Sequence, residues 1–379
     1  MEYQARHWVR LTAACNNNCV FCLDAAARMG EMLPFADIME ELRRGRELGI
    51  TRVVLSGGEP TIHPRFLDIV AQARELGYTH IQAISNGRRF AEPGFIERCV
   101  QSGLRETTIS MHGHTPELHD GLVRVPGAFK QSLAGLGGAL KRSELIVSVD
   151  IVLNKQNMEV IDDVLWFFLR LGVREFDLLH VVPFASAWDN WEMLRYDPAA
   201  VRERFQRALK LARNMGAVLW TNRLPAKFLE GFEDLIQDPR KIQDEVRGRA
   251  AMFHEFLAGG KLMGCRDERC GFCFLEGWCE DLIRLRDRGR LAGRPLPKCL
   301  SAGGGKAKPP VFRWAGAATD LNEWTRFYIE NRYHIKGSAC GECAHERTCA
   351  GAQIDFIRAQ GFKALKPGKK KKRKKTCRN

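Results

Sequence analysis

The sequence predicts an α/β fold on a parallel sheet, followed by a small cysteine-rich domain. From residue 8 to about residue 221, short β-branched apolar runs alternate with longer amphipathic stretches, the pattern of βα units. The run Ile146-Val147-Ser148-Val149-Asp150-Ile151-Val152-Leu153 is nearly all apolar, as a strand buried on both faces must be. Beyond residue 221 the alternation fades, and from about residue 250 dense cysteines and a Gly303-Gly304-Gly305 connection take over. A metal-stapled unit fits that composition better than a second hydrophobic core.

Strands are expected at Trp8–Leu11, Arg52–Leu55, Ile81–Ser85, Thr107–Met111, Ile146–Leu153 and Phe176–Val181. Helices are expected at Phe35–Leu48, Phe66–Leu76, Phe129–Leu140, Met158–Leu171 and Ala200–Met215, each apolar at helical spacing with a polar opposite face. That makes about six βα repeats, arranged as a barrel or a doubly wound sheet. Both architectures bind ligands at the carboxyl ends of the strands. Those ends carry Cys15, Cys19 and Cys22 after strand one and Ser56-Gly57-Gly58-Glu59-Pro60-Thr61 after strand two. Asn86-Gly87 follows strand three and His112-Gly113 follows strand four. No fixed-period repeat is expected beyond the βα unit.

Composition bounds the function classes. Of 379 residues, 45% are apolar and 27% charged, which excludes a disordered or collagen-like chain. The longest apolar run, Val164–Leu169, is far short of the roughly 20 residues of a membrane span, and no secretory signal is visible. A cytoplasmic location is expected. The net charge of +14 is concentrated in the run Lys369–Lys375 and Arg378, expected to be a solvated basic tail that touches nucleic acid only non-specifically. Walker phosphate loops, G-x-S-x-G elbows and H-E-x-x-H zinc helices are absent from the sequence.

Thirteen cysteines without a secretory signal point to metal or redox chemistry. Cys99 lies in a helix-like stretch and reads as a small buried hydrophobe, and Cys377 stands alone in the tail. Cys15, Cys19 and Cys22 put three thiols on one loop. Three thiolates hold three irons of a 4Fe-4S cube and leave the fourth open; a structural zinc loop lacking one ligand is the alternative. Cys265, Cys270, Cys273, Cys279 and Cys299 form a second group, and Cys340, Cys343 and Cys349 a third, together enough for two four-ligand sites. Their CxxC pairs suit iron–sulfur or zinc alike.

The CxxxCxFC spacing of Cys15, Cys19, Phe21 and Cys22 resembles the cluster loop of the radical S-adenosylmethionine (radical SAM) superfamily. Gly57-Gly58-Glu59-Pro60 resembles that family's GGEP motif, whose glycines let backbone approach a ligand closely. Ser85-Asn86-Gly87, Ser110-Met111-His112-Gly113 and the stretch from Asp120 to Phe129 are similar to further family segments.

The resemblance, over about residues 6 to 185, implies an incomplete (β/α)6 barrel and an oxidoreductase that cleaves S-adenosylmethionine to a 5′-deoxyadenosyl radical. It implies a catalytic 4Fe-4S cluster on Cys15, Cys19 and Cys22. Phe21, Gly57, Gly58, Glu59 and Pro60 would shape the cofactor site, with Ser85, Asn86, Ser110, His112 and Arg124 as further cofactor-binding candidates. Cys340-x2-Cys343-x5-Cys349 resembles the SPASM or twitch extension, although Gln353 stands where that pattern has a cysteine. One or two auxiliary 4Fe-4S clusters on the carboxy-terminal cysteines are implied in preference to zinc.

The resulting organisation is a barrel over 6–221, a helical linker over 222–249, an auxiliary-cluster domain over 250–366 and the basic tail over 367–379. The expected partners are a flavodoxin- or ferredoxin-type electron donor and a peptide or protein substrate. With about seven residues before strand one, leader-peptide recognition is expected to need a separate protein. The alternatives are an enzyme of small-molecule cofactor biosynthesis and a non-catalytic iron–sulfur or zinc protein. Trp188, Trp191 and Tyr196 are candidates for a substrate wall. Asp150, polar within an apolar strand, is a candidate lumen contact.

Overall fold

The computed structural model describes residues 6–24, 30–259, 265, 267–300 and 308–368. The basic run and Cys377 lie outside the described residues. The chain divides into two units, Met1–Asn222 and Arg223–Asn379.

The first unit is a seven-stranded sheet in sequential order, and every neighbouring pair is parallel. Its strands are β1 (Arg6–Thr12), β2 (Arg52–Gly57), β3 (His80–Ser85), β4 (Glu106–Ser110), β5 (Ile146–Leu153), β6 (Glu175–His180) and β7 (Val218–Asn222). The sheet does not close from β7 to β1, so this is an open partial barrel with one strand more than the six expected. The additional strand, Val218-Leu219-Trp220-Thr221-Asn222, lacks the apolar run of the others because its polar residues and single buried aliphatic interrupt it.

Helices α1 (Phe35–Glu47), α2 (Phe66–Glu75), α3 (Phe95–Ser102), α4 (Pro116–Val123) and α5 (Ala128–Leu140) connect the first five strands. Along β5, Val149, Ile151 and Leu153 are buried on one face. The alternate residues Ser148 and Asp150 belong to the other, inner face, as the period of two requires. That inner face is polar. Gln82 Nε2 and Ser148 Oγ both donate to Thr108 Oγ1, at 2.9 Å each, linking β3, β4 and β5. One level nearer the carboxyl ends, the register sets Ser110, Asp150 and Asp177 side by side.

The second unit has its own core, in which Trp278 and Trp324 are fully buried together with Phe253, Phe256 and Leu282. Truncating such an aromatic costs about 3–5 kcal/mol. Ile242 and Val246 pack in this core, so residues 223–249 are part of the second unit and not the separate linker expected. Buried Asp281 accepts from Arg332 Nε at 2.7 Å and Nη2 at 2.9 Å. Among the described residues no helix is long and apolar enough to cross a membrane.

Candidate active site and cysteine knuckles

The loop leaving β1 is held from three sides. Gly58 N–H donates to Thr12 O and Glu59 N–H to Ala14 O, each at 2.8 Å, so the segment after β2 docks backbone to backbone on the approach to Cys15. A Cβ at Gly58 would lie 2.0 Å from Ala14 O, and one at Gly57 would lie 2.2 Å from Thr12 O. Gly57 also has φ +133°, so both glycines are required by this approach. On the second side, Asn18 N–H and Val20 N–H donate to Val123 O and Leu122 O at 2.9 Å, using carbonyls left free at the end of α4.

The third side comes from the end of β3. Asn86 Nδ2 donates to Asn16 Oδ1 at 2.6 Å. Arg88 Nη1 donates to Asn16 O and to Asn17 Oδ1, the latter at 3.0 Å. Sequence reasoning did not select Arg88; its place two residues after Asn86, at a strand's carboxyl end, was the available signal. Asn17 N–H donates to Cys15 Sγ at 3.4 Å, and burial pushes the Cys15 thiol up to about 11. A metal bound by this sulfur would have to displace its proton.

Glu59 is buried, and its carboxylate accepts four hydrogen bonds: from Thr61 N–H at 3.0 Å, Thr61 Oγ1 at 2.6 Å, Ser85 Oγ at 2.7 Å and Asn86 N–H at 2.7 Å. Burial still raises its pKa. Ser85 and Asn86 thus meet at Glu59, and Pro60 is the buried first residue of the turn Pro60–Ile62. Phe21 is buried, with its ring centroid 4.7 Å from that of His112, edge to face. His112 Nδ1 accepts from Val152 N–H, and burial drives its pKa well below 6.5, so the ring is a neutral support behind the loop.

Arg124 ends α4 in a left-handed conformation, φ 54°, and donates from Nη2 to Asn190 Oδ1 at 2.7 Å. Asn190 Nδ2 in turn donates to Val20 O. Asp120 accepts from Gly127 N–H and Phe129 N–H, which fixes the start of α5. Trp188, Trp191 and Tyr196 pack with Val20 and Phe21 beside the loop. On the inner face, the Ser110 hydroxyl bonds Asp150, whose Oδ1 is buried without a partner. Burial, reinforced by Asp177, pushes the Asp150 carboxyl up to about 7. Cys99 is fully buried, as expected.

In the second unit the cysteines sort differently from the sequence grouping. Cys265, Cys270, Cys273 and Cys279 lie close together: burial, reinforced by the neighbouring Cys273, Cys265 and Cys270, pushes the Cys279 thiol up. Cys299 belongs with Cys340, Cys343 and Cys349, and all four line one cavity. The correction yields two sets of four, because the turn around Leu300 and Pro297 brings Cys299 back to a segment 41 positions further along the chain. Gln353 is the N-cap of the helix Ile354–Gln360, accepting from Asp355 N–H at 2.7 Å. Among the described residues no three His, Cys, Asp or Glu side chains form a ready single-ion site.

An open parallel partial barrel with three thiols after its first strand and a glycine-cradled loop after its second defines a class. Residues 9–167, most of the first unit, match the Radical SAM superfamily. It is 23% identical over 376 residues to the AdoMet-dependent heme synthase of Methanosarcina barkeri, covering 95% of this chain and 96% of that one. It is 28% identical over 176 residues to a probable GTP 3′,8-cyclase of Saccharolobus solfataricus, where the match spans 46% of this chain and 56% of the relative. In fold it is similar to Streptococcus suis SuiB bound to S-adenosylmethionine, with a TM-score of 0.50 and 15% identity over 96% of this chain and 76% of that one.

Proposed function

We propose that Cys15, Cys19 and Cys22 hold a 4Fe-4S cluster with S-adenosylmethionine beside it, and that the enzyme abstracts hydrogen from a peptide or protein substrate. The donor set fits: three thiols sit within eight residues of one loop, and the Cys15 sulfur already accepts a backbone N–H. The bound pair supplies one-electron cleavage of the sulfonium and a 5′-deoxyadenosyl radical. The chain's own residues orient and exclude water. The observation that carries this reading is the docking of Gly58 and Glu59 on Thr12 and Ala14, which leaves no room for a side chain.

In this reading Glu59, saturated by its four donors, fixes the loops after β2 and β3 in one geometry. Arg88 and α4 hold the cluster loop, and Phe21 and His112 wall it from below. Asp150 faces the inner side of the sheet with one oxygen unpaired and is suited to accept a donor group of substrate or cofactor. A flavodoxin- or ferredoxin-type protein would supply the electron. Peptide substrates are supported by the likeness in fold to SuiB, a structure of which is bound to its precursor peptide SuiA. A second reading, a small-molecule cofactor precursor, is supported by the heme synthase that aligns over nearly the whole chain.

The test is 5′-deoxyadenosine formation by anaerobically reconstituted protein in the presence of cell extract from which nucleic acid has been removed. Stimulation that disappears when the extract is pretreated with protease supports the peptide reading. Stimulation that survives protease and passes a small-molecule filter supports the second reading and overturns the first.

A further inference from the structure

One level of the sheet's inner face is acidic and ends on an uncovered indole. The register sets Ser110 of β4, Asp150 of β5, Asp177 of β6 and Trp220 of β7 side by side. Strand alternation puts all four on the inner face, because residues next to them in the chain, such as Ile109, Val149, Leu178 and Leu219, are buried on the outer one. Neighbouring strands lie about 4.8 Å apart, so Asp150, Asp177 and Trp220 are within reach of one small group.

The row is short of positive charge. Asn222 Nδ2 donates to both oxygens of Asp177, at 2.6 and 2.7 Å, and the Ser110 hydroxyl bonds Asp150. Asp150 Oδ1 is buried and accepts nothing among the described residues. The groups acting on this carboxyl are Ser110 and Asp177, neither of them a cation. The basic residues of the same face are engaged elsewhere. Arg52 and His80 meet Glu106, Arg10 donates to Asp24 at 2.7 Å, and Arg6 acts on Glu175. At the end of the row, Trp220 is 46% exposed although it stands on the inner face.

Two carboxyls on adjacent strands repel when both are charged, and burial adds to the cost, which is why Asp150 keeps its proton up to about pH 7. A cation placed between them removes both penalties. The indole supplies a third wall, because its face attracts a cation and covers the alkyl stem behind it. A metal ion fits less well. It would find two carboxyl groups and an indole that offers no ligand, and among the described residues no three His, Cys, Asp or Glu side chains form an ion site.

We propose that Asp150, Asp177 and Trp220 form a subsite for an organic cation, an ammonium or guanidinium group on an alkyl stem, presented by the substrate. The assignment of that cation to a Lys or Arg side chain or an amino terminus rests on the peptide reading of the function. An anionic substrate group would be repelled from this row.

The experiment titrates the reconstituted full chain with n-pentylamine and n-butylguanidine, and with n-pentanol and hexanoate as neutral and anionic counterparts, reading tryptophan fluorescence. Both cations should give a saturable change that is absent from Trp220→Phe, and the alcohol and the carboxylate should give none. Asp150→Asn and Asp177→Asn should each weaken cation binding about tenfold, the loss of one charge-assisted hydrogen bond. Wild-type far-UV circular dichroism reports that a variant has folded, and the contrast among the four probes needs no variant. S-adenosylmethionine binding, read by equilibrium dialysis, should survive Asp150→Asn. The subsite is overturned by pentanol or hexanoate binding as well as the amine, by saturation with magnesium chloride alone, or by unchanged cation affinity in both folded Asn variants. Loss of S-adenosylmethionine binding in Asp150→Asn also overturns it, since the carboxyl would then serve the cofactor. Binding is read here without turnover, so a small-molecule substrate found in the extract experiment overturns the peptide reading and leaves the cation subsite standing.

Discussion

After β1, Cys15, Cys19 and Cys22 sit on a loop pinned by three different segments: the glycine turn after β2, the end of β3 and the end of α4. In the second unit each knuckle makes its own short backbone ladder, and its fourth thiol comes from the same unit. The first arrangement commits much of the barrel to positioning a single three-thiol loop. The second makes the same short backbone ladder twice from ten local residues. Chemistry demands the former, since a reacting group must be held within a fraction of an ångström, and support demands only the latter.

The largest expected effect breaks the first region alone. Gly58→Ala puts a methyl group 2.0 Å from Ala14 O, so the loop must move. Displacement of about 1 Å at a reacting centre costs on the order of 100-fold, and 5′-deoxyadenosine formation should fall by about that factor. The equivalent change in a knuckle, Gly271→Ala, meets nothing within 4 Å and should leave iron content and activity unchanged. Equal losses from the two glycine variants would erase the distinction.

Next in size is Glu59→Gln. The amide presents only one accepting oxygen to donors that now occupy both, leaving a buried donor unpaired at a cost of about 1–3 kcal/mol. A lower urea midpoint, with the second unit's cluster signals intact, would place that cost in the barrel. Arg88→Ala removes the clamp on Asn16 and Asn17, and the expected result is faster loss of iron from the amino-terminal cluster to a chelator, with the knuckles unaffected.

The smallest effect concerns Asp150. Its carboxyl holds a proton up to about pH 7 in the folded chain, against an ordinary 3.8. Because the folded state binds that proton where the unfolded state does not, stability falls as pH rises through that window. Asp150→Asn should flatten the decline of the urea midpoint between about pH 4 and about pH 7. An unchanged slope would show that another group carries it.

Much of this was legible in the sequence because the barrel's helix-facing positions alternate cleanly and its loops carry short-range motifs. Strand β5 was read to the residue, since its buried face is all Val, Ile and Leu. Strand β7 was missed, as its exposed Val218 and Trp220 on the inner face look like loop residues in one dimension. The cluster loop and the Gly57-Gly58 cradle were visible because their constraints are local. The membership of Cys299 was not: a turn and a long excursion decide which thiols it joins, and spacing along the chain points the wrong way. Arg88 was hidden for the same reason, since its partners Asn16 and Asn17 lie about 70 positions away.

The most direct test is to give anaerobically reconstituted full-length protein S-adenosylmethionine and dithionite and to quantify 5′-deoxyadenosine by chromatography, beside the Cys15, Cys19 and Cys22→Ala variant. The account predicts product from the intact protein and none from the variant, which keeps the iron of both knuckles. Product from both proteins, or none from an intact protein loaded with iron, would contradict it.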